Sequence, residues 1–229
     1  MKHVLVTVLS IGVLFSICFA GEKIELKEQK DKESYSLGYQ FGQNLKSQGV
    51  DINLDIYTSG IRDGLGGKES QMSSDEIRAT ITSLQQRLMA AQQKVLKEKA
   101  AKNIEEGKKF LAENQKKEGV KTLPSGLQYK VLTEGSGKMP KAEDTVTVNY
   151  KGTLIDGTEF DSSYKRGQPA TFQVKGVIKG WTEALQLMKQ GAKWQLFIPP
   201  ELAYGERGAG RDIGPNATLI FEVEFLAVK

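Results

Sequence analysis

The sequence predicts an α+β protein. An N-terminal all-helical half with one long connecting helix is followed by an antiparallel β-sheet wrapped around a short helix. Three observations carry this reading. No proline occurs between Ser73 and Thr122, and that stretch places Ile77, Ile81, Leu84, Leu88, Ala91 and Val95 at spacings of three and four. After Gly119 the period changes to two in Leu127–Leu132, Thr145–Leu154, Trp194–Ile198 and Thr218–Val228, with glycine- and proline-rich turns between. In that half, only Lys179 to Lys189 keeps helical spacing, through Trp181, Leu185 and Met188.

The chain starts with a leader. Met1-Lys2-His3 is a short basic start, and Val4 to Phe19 is nearly all apolar. That run is about 16 residues, short of the ~20 that cross a bilayer as a helix. Small residues at Cys18 and Ala20 suit cleavage after Ala20, so residues 1–20 read as a signal peptide. A retained anchor and a lipidated Cys18 are the alternatives. The latter has a poor lead-in, because Phe15-Ser16-Ile17 lacks the small residue such sites place before the cysteine. The leader is bacterial in style and directs the chain to the periplasm, with outer-membrane or cell-surface association left open.

Cleavage removes Cys18 and His3, the sole cysteine and histidine. The mature chain then has no thiol nucleophile, disulfide, imidazole base or Cys/His metal ligand. This excludes Ser-His and Cys-His catalysis and zinc sites built from those residues. No cofactor and no metal are expected. Composition is that of an ordinary globular protein, with 39% hydrophobic and 26% charged residues. The formal net charge of +4 is small and spread along the chain, so nucleic acid is not an expected partner.

Residues 21–118 form the helical region. From Asp31 to Lys46, Tyr35, Gly38, Gly42 and Leu45 share one helical face, and Gly49 caps its end. Glycines inside a helix cost about 1 kcal/mol each, and their use here would be close approach of another helix. Asn53 caps a second helix, Leu54 to Leu65, which Gly66-Gly67 terminates. Ser73 with Glu76 fits a capping box opening the third helix, expected over 74–117 at roughly 65 Å. Its apolar spacing is an a/d seam, which needs a partner. Past Val95 the seam fades into a charge-rich run of Lys97, Glu98, Lys99, Lys102, Glu105, Glu106, Lys108 and Lys109, which reads as a solvated spacer. One seam and two short helices make too little core for a single chain. A homodimer is therefore expected, with an intramolecular bundle as the alternative. The low hydropathy of these helices argues against membrane insertion.

Residues 119–229 form the β domain. Here Tyr150, Phe160, Phe172, Val177, Ile178, Trp181, Tyr204 and Phe221 are spread over several elements and are read as converging on one apolar pocket. Taken singly, each aromatic is most simply a core residue.

Several motifs in order resemble the FKBP-type peptidyl-prolyl isomerase signature. They are Val146-Thr147-Val148-Asn149-Tyr150-Lys151-Gly152, Gly157-Thr158-Glu159-Phe160-Asp161-Ser162-Ser163, Val177-Ile178-Lys179-Gly180-Trp181, Ile198-Pro199-Pro200-Glu201-Leu202-Ala203-Tyr204-Gly205 and Pro215-Asn216-Ala217-Thr218-Leu219-Ile220-Phe221. The helical half resembles the dimerising segment of the macrophage infectivity potentiator and FkpA-like group. The resemblance implies isomerase activity on X-Pro bonds of exported, unfolded polypeptides, with chaperone activity from dimeric arms. A noncatalytic chaperone keeping the FKBP fold is the alternative.

By resemblance Trp181 is the pocket floor, and Tyr150, Phe160, Phe172, Val177, Ile178 and Phe221 are its walls. The Ile178 N–H and the Tyr204 hydroxyl would bond substrate carbonyls. Asp161 would stand beside the twisting amide, acting on it or holding Tyr150. The chain departs from the family pattern between Tyr204 and Pro215, where Ala209 and Asp212 stand at positions that many members fill with bulky or apolar residues. Preference for the residue before proline is open there.

Overall fold

The computed structural model describes residues 24–229, and the signal peptide expected over 1–20 lies outside them. The described residues fall into two compact units, one ending at Gln71 and one running from Met72 to Lys229.

The first unit holds α1 (Gln29–Ser47) and α2 (Leu54–Leu65). Both end in the same way. Gly49 has φ +67°, and Val50 N–H reaches back to Leu45 C=O at 2.9 Å. Gly67 has φ +63°, and Lys68 N–H reaches Asp63 C=O at 3.1 Å. A glycine in the left-handed region lets the chain turn back on the last carbonyls, which would otherwise lack donors. At the start of α2, Asn53 Oδ1 accepts from the Asp55 and Ile56 N–H groups. Neither helix buries a residue. Tyr35, Leu37, Tyr39 and Phe41 are each at least half exposed, as are Leu54 and Ile56.

The second unit starts with α3 (Ser74–Asn114), 41 residues long. Ser73 and Glu76 form the expected capping box. The helix stops at Asn114, three residues before the expected end, and the Asn114 side chain is buried. It is 1% exposed and donates to Gln128 Oε1 at 3.0 Å. Gln128 in turn donates to the Leu111 C=O at 2.9 Å.

The C-terminal half of α3 corrects one sequence expectation. It is more than a solvated spacer. Ala100, Asn103, Gly107, Phe110, Leu111 and Asn114 form a continuous covered face. Four of these six side chains are small or polar, so apart from Phe110 and Leu111 at its end the face carries little apolar signal. Lys and Glu fill most of the other positions, with Ala101, Ile104 and Ala112 among them.

The sheet has seven antiparallel strands. β1 (Val120–Thr122), β2 (Gln128–Thr133), β6 (Lys193–Ile198), β7 (Leu219–Val228), β3 (Thr145–Leu154) and β4 (Glu159–Ser162) follow in spatial order, and β5 (Ala170–Gln173) pairs with β3 beside β4. Strict alternation buries Val146, Val148 and Tyr150 from β3 and Leu219, Phe221, Val223 and Phe225 from β7 on one face. α4 (Lys179–Leu185) lies against that face and buries Gly180, Trp181, Ala184 and Leu185. Gly180 is required by this contact, since a Cβ there would stand 2.6 Å from Ile198 Cγ2. Phe225, Leu185, Met188, Leu196 and Val174 close the core at 0% exposure.

Candidate active site

The β3–β7 register builds the wall of a cavity. Tyr150 pairs with Val223, and Gly152 pairs with Phe221 on one side and Asp161 of β4 on the other. Gly152 has no room for a side chain. A Cβ there would sit 2.7 Å from atoms of both Phe160 and Phe221. The glycine is the slot into which these two rings fit edge to face, with centroids 5.4 Å apart at 84°.

Trp181 enters from the first turn of α4 and is 4% exposed. Tyr150, Phe172 and Phe221 meet it at centroid distances of 5.2, 5.9 and 5.2 Å, with interplanar angles between 81° and 89°. Edge-to-face contacts of this kind direct the positive ring edge onto a negative face.

The cavity has a volume of about 610 Å³. All nine side chains named from the sequence line it: Tyr150, Phe160, Asp161, Phe172, Val177, Ile178, Trp181, Tyr204 and Phe221. Gly176 joins them, and so do Ala209, Gly210, Asp212 and Ile213 from the loop after Tyr204.

Both donors named from the sequence are uncommitted. Among the described residues, neither the Ile178 N–H, which precedes the first turn of α4, nor the half-exposed Tyr204 hydroxyl has a hydrogen-bond partner. Burial, with the Asp161 charge in second place, pushes the Tyr204 hydroxyl pKa up, so it stays a donor.

Asp161 is fully engaged. Its Oδ2 accepts from the Tyr150 hydroxyl at 2.5 Å. Its Oδ1 accepts from Ser162 N–H at 2.8 Å and from Arg166 Nη1. Arg166 Nη2 also donates to the Tyr150 oxygen at 2.6 Å, and the guanidinium carbon lies 5.3 Å from the Tyr150 ring centroid. Burial raises the Asp161 carboxyl, but hydrogen bonds from Tyr150 and Arg166 and the Arg166 charge outweigh it, and the net shift is downward. Burial raises the Tyr150 hydroxyl, helped by its bond to Asp161 and opposed by Arg166. Behind them Ser163 fixes the backbone, its Oγ accepting from Tyr150 N–H at 2.9 Å and donating to Asn149 Oδ1 at 3.1 Å. Ser163 is therefore structural.

Sequence reasoning missed Arg166 and the steric role of Gly152. Arg166 sits in a tight turn that Gly167, at φ +72°, closes, five residues after Asp161. An arginine returning across a short turn beside a pocket carboxylate was a readable signal. The arrangement offers an apolar floor, two free donors and a carboxylate neutralised by its partners. It holds no nucleophile paired with a base. Among the described residues, no group of three His, Cys, Asp or Glu could hold a metal ion.

Comparison with known proteins gives the lineage of this arrangement. Residues 136–226 match the family described as FKBP-type peptidyl-prolyl cis-trans isomerase, and residues 30–131 match the domain amino terminal to it. The chain is 47% identical over 230 residues to the outer membrane protein MIP of Legionella longbeachae, covering 100% of this chain and 99% of that protein. It is 47% identical over 229 residues, with the same coverage, to the peptidyl-prolyl cis-trans isomerase Mip of Coxiella burnetii. The crystal structure of FkpA from Escherichia coli superimposes with a TM-score of 0.70 at 44% identity, covering 90% of this chain and 99% of that one.

Proposed function

We infer the function from one premise: the chain belongs to the family of FKBP-type peptidyl-prolyl cis-trans isomerases. It accelerates rotation about X-Pro peptide bonds in polypeptide substrates. The observation that carries this for the site is the Trp181 floor, ringed edge-on by Tyr150, Phe172 and Phe221 with two unpaired donors at its edge.

The chemistry needs no more than this. Resonance gives the peptide bond a barrier of ~18–20 kcal/mol, and no bond has to break. At X-Pro the unaided exchange takes tens to hundreds of seconds. The planar amide is the more dipolar state, and an apolar cavity disfavours it relative to the twisted one. Each tenfold acceleration needs about 1.36 kcal/mol of differential stabilisation. In our reading the prolyl ring rests on Trp181. The Ile178 N–H and the Tyr204 hydroxyl take the flanking carbonyls, and Phe160, Val177 and Phe221 exclude water. Asp161 holds Tyr150 in place through the bonds described above.

The same reading extends to assembly and location. We propose a homodimer through the exposed apolar faces of α1 and α2 and the Ile77–Val95 seam of α3, with residues 119–229 carrying the isomerase site. Two sites on one clamp raise the local concentration of a bound chain and support chaperone activity. Ile77 and Ile81 are 41% and 48% exposed in the single chain, which supports a partner there. We propose that the protein is exported and works in the periplasm or at the outer membrane. No helix among the described residues is long and apolar enough to cross a membrane.

A protease-coupled assay on a Leu-Pro peptide tests the central reading. Acceleration that disappears on Trp181→Ala together with Tyr204→Phe is the expected result. A folded wild-type protein without acceleration would leave the noncatalytic chaperone as the better reading.

A further inference from the structure

The loop that overhangs the cavity is held from outside by α3. The segment 205–216 closes on itself. Asn216 N–H bonds Gly205 C=O at 2.8 Å, and Ala209 and Ile213 exchange backbone bonds of 2.9 and 3.2 Å. Gly205 and Asn216 both have φ +56°, so each end turns through the left-handed region. The unit between them carries Ala209, Gly210, Asp212 and Ile213 into the cavity, and Tyr204 stands at its entrance.

Three residues of α3, each one turn from the next, touch its base. The alkyl chain of Lys99 covers Gly214, where a Cβ would lie 2.5 Å from Lys99 Cε. Asn103 Nδ2 donates to the Pro215 C=O at 2.8 Å across 112 residues of chain. Gly107 abuts Thr218, whose Oγ1 would lie 2.4 Å from a Cβ at that position. Thr218 Oγ1 is itself buried without a hydrogen-bond partner. Close approach to the helix, rather than a bond, explains that hydroxyl's position. A second, small cavity of about 80 Å³ between Asn103, Gly107, Pro200 and Thr218 lies on the other side of the same junction.

We propose that Asn103 and Gly107 of α3 are positioning residues of the isomerase site. They seat the segment that carries Tyr204 and the overhanging loop, and so set which residue before proline the site prefers. This rests on the isomerase reading above. In physical terms, the loop's internal bonds keep it in one piece, and two glycine-like turns let that piece pivot. Asn103 and Gly107 fix the pivot. A helix that also carries the assembly seam thus becomes part of the specificity wall.

The test uses the full chain and peptides differing only in the residue before proline, Leu-Pro against Ala-Pro. The readout is the ratio of the two kcat/KM values, in which the folded fraction cancels. Asn103→Ala deletes the tether and is expected to change the ratio about threefold or more, the worth of one hydrogen bond, and Gly107→Ala, which forces Thr218 outward, is expected to change it in the same direction. Adding Thr218→Ala to Gly107→Ala removes the clashing atom and should return the ratio to the wild-type value. If Gly107→Ala does not fold, Asn103→Ala carries the test alone. An unchanged ratio in every folded single variant, with the wild type active, overturns the proposal and leaves the isomerase reading intact. Absence of activity in the wild type overturns both.

Discussion

The Tyr150 hydroxyl donates to Asp161 Oδ2 at 2.5 Å, and Arg166 donates to both groups from the other side. Each oxygen of Asp161 is therefore occupied by a protein donor before any substrate arrives. A carboxylate so engaged is best suited to hold its neighbours. Tyr150 is the neighbour that matters, because its ring packs edge-on against Trp181.

This makes a first prediction. Tyr150→Phe and Asp161→Ala should lower kcat/KM by similar amounts, and the double variant should lose no more than either single. A hydrogen bond to a charged group contributes about 1.5–3 kcal/mol, so each loss should be roughly tenfold to a hundredfold. Losses that multiply in the double variant would mean that Asp161 acts on the amide directly.

The second prediction concerns pH. The Asp161 carboxyl titrates below its ordinary range, and the Tyr150 and Tyr204 hydroxyls titrate above theirs. None of the three changes charge near neutrality, so kcat/KM should be flat between about pH 5 and pH 9. The folded-state value of Asp161 is depressed. Its stabilising contribution is therefore present above the unfolded carboxylate value of about 4 and is lost as pH falls through the lower folded one. Tyr150 has the opposite sign, contributing fully below about pH 10 and losing its contribution as pH rises through the raised folded value. A bell-shaped rate profile centred near neutrality would count against this assignment.

Gly152 supplies a third. Adding one methyl there drives against Phe160 and Phe221, which already meet at its Cα. Overpacking costs about 1–3 kcal/mol, so Gly152→Ala should lower the melting temperature. Displaced rings would also narrow the cavity and raise KM for the peptide. An unchanged KM alongside a lowered melting temperature would place the strain elsewhere.

Eight of the nine pocket residues were legible because the quoted family motifs carry them, and Phe172 because it stands in an alternating run; the strand period fixes the face of those on β3 and β7. Tyr150 and Phe221 sit on buried positions of alternating strands, which period-two reading finds. Arg166 carried a turn signal that went unread, five residues after Asp161 and just before Gly167, whereas Gly152 was harder, since its role depends on a register across three strands that no local pattern encodes. The covered half of α3 was the least legible. Beside Phe110 and Leu111, its contacts run through Asn103, Gly107 and Asn114, and two amides and a glycine add nothing to a hydropathy pattern dominated by Lys and Glu. Small and polar residues at helical spacing deserve the same scrutiny as apolar ones.

Assembly gives a fourth prediction. α1 and α2 bury no residue in the single chain, yet Tyr35, Leu37, Phe41, Leu54 and Ile56 are all half exposed or more. Soluble monomers rarely leave so many large apolar side chains in water on adjacent turns. Light scattering of residues 21–229 should give about twice the monomer mass. Ile81→Asp, which puts a charge into the seam, should shift the protein toward monomer. A monomer at micromolar concentration in the unmutated chain would sink the clamp.

The last prediction separates the two roles inside the pocket. Tyr204 is 41% exposed, and its hydroxyl bonds no described residue, so Tyr204→Phe removes nothing that the folded protein uses. Its melting temperature should stay near wild type. The transition state would lose one neutral hydrogen bond of about 0.5–1.5 kcal/mol, lowering kcat/KM roughly threefold to tenfold. Trp181 is the opposite case. It is 4% exposed and meets three rings, so Trp181→Ala should cost ~3–5 kcal/mol of stability. Trp181→Phe tests whether the floor works by shape. The indole Nε1 is buried without a partner, so losing that N–H should cost little, and the smaller ring should keep most of the stability. Because a smaller floor opens the cavity to water, kcat/KM should fall further for Trp181→Phe than its stability loss alone would give. If Tyr204→Phe lowered the melting temperature as much as Trp181→Ala, the hydroxyl would be serving the fold, and the substrate carbonyl would need another donor.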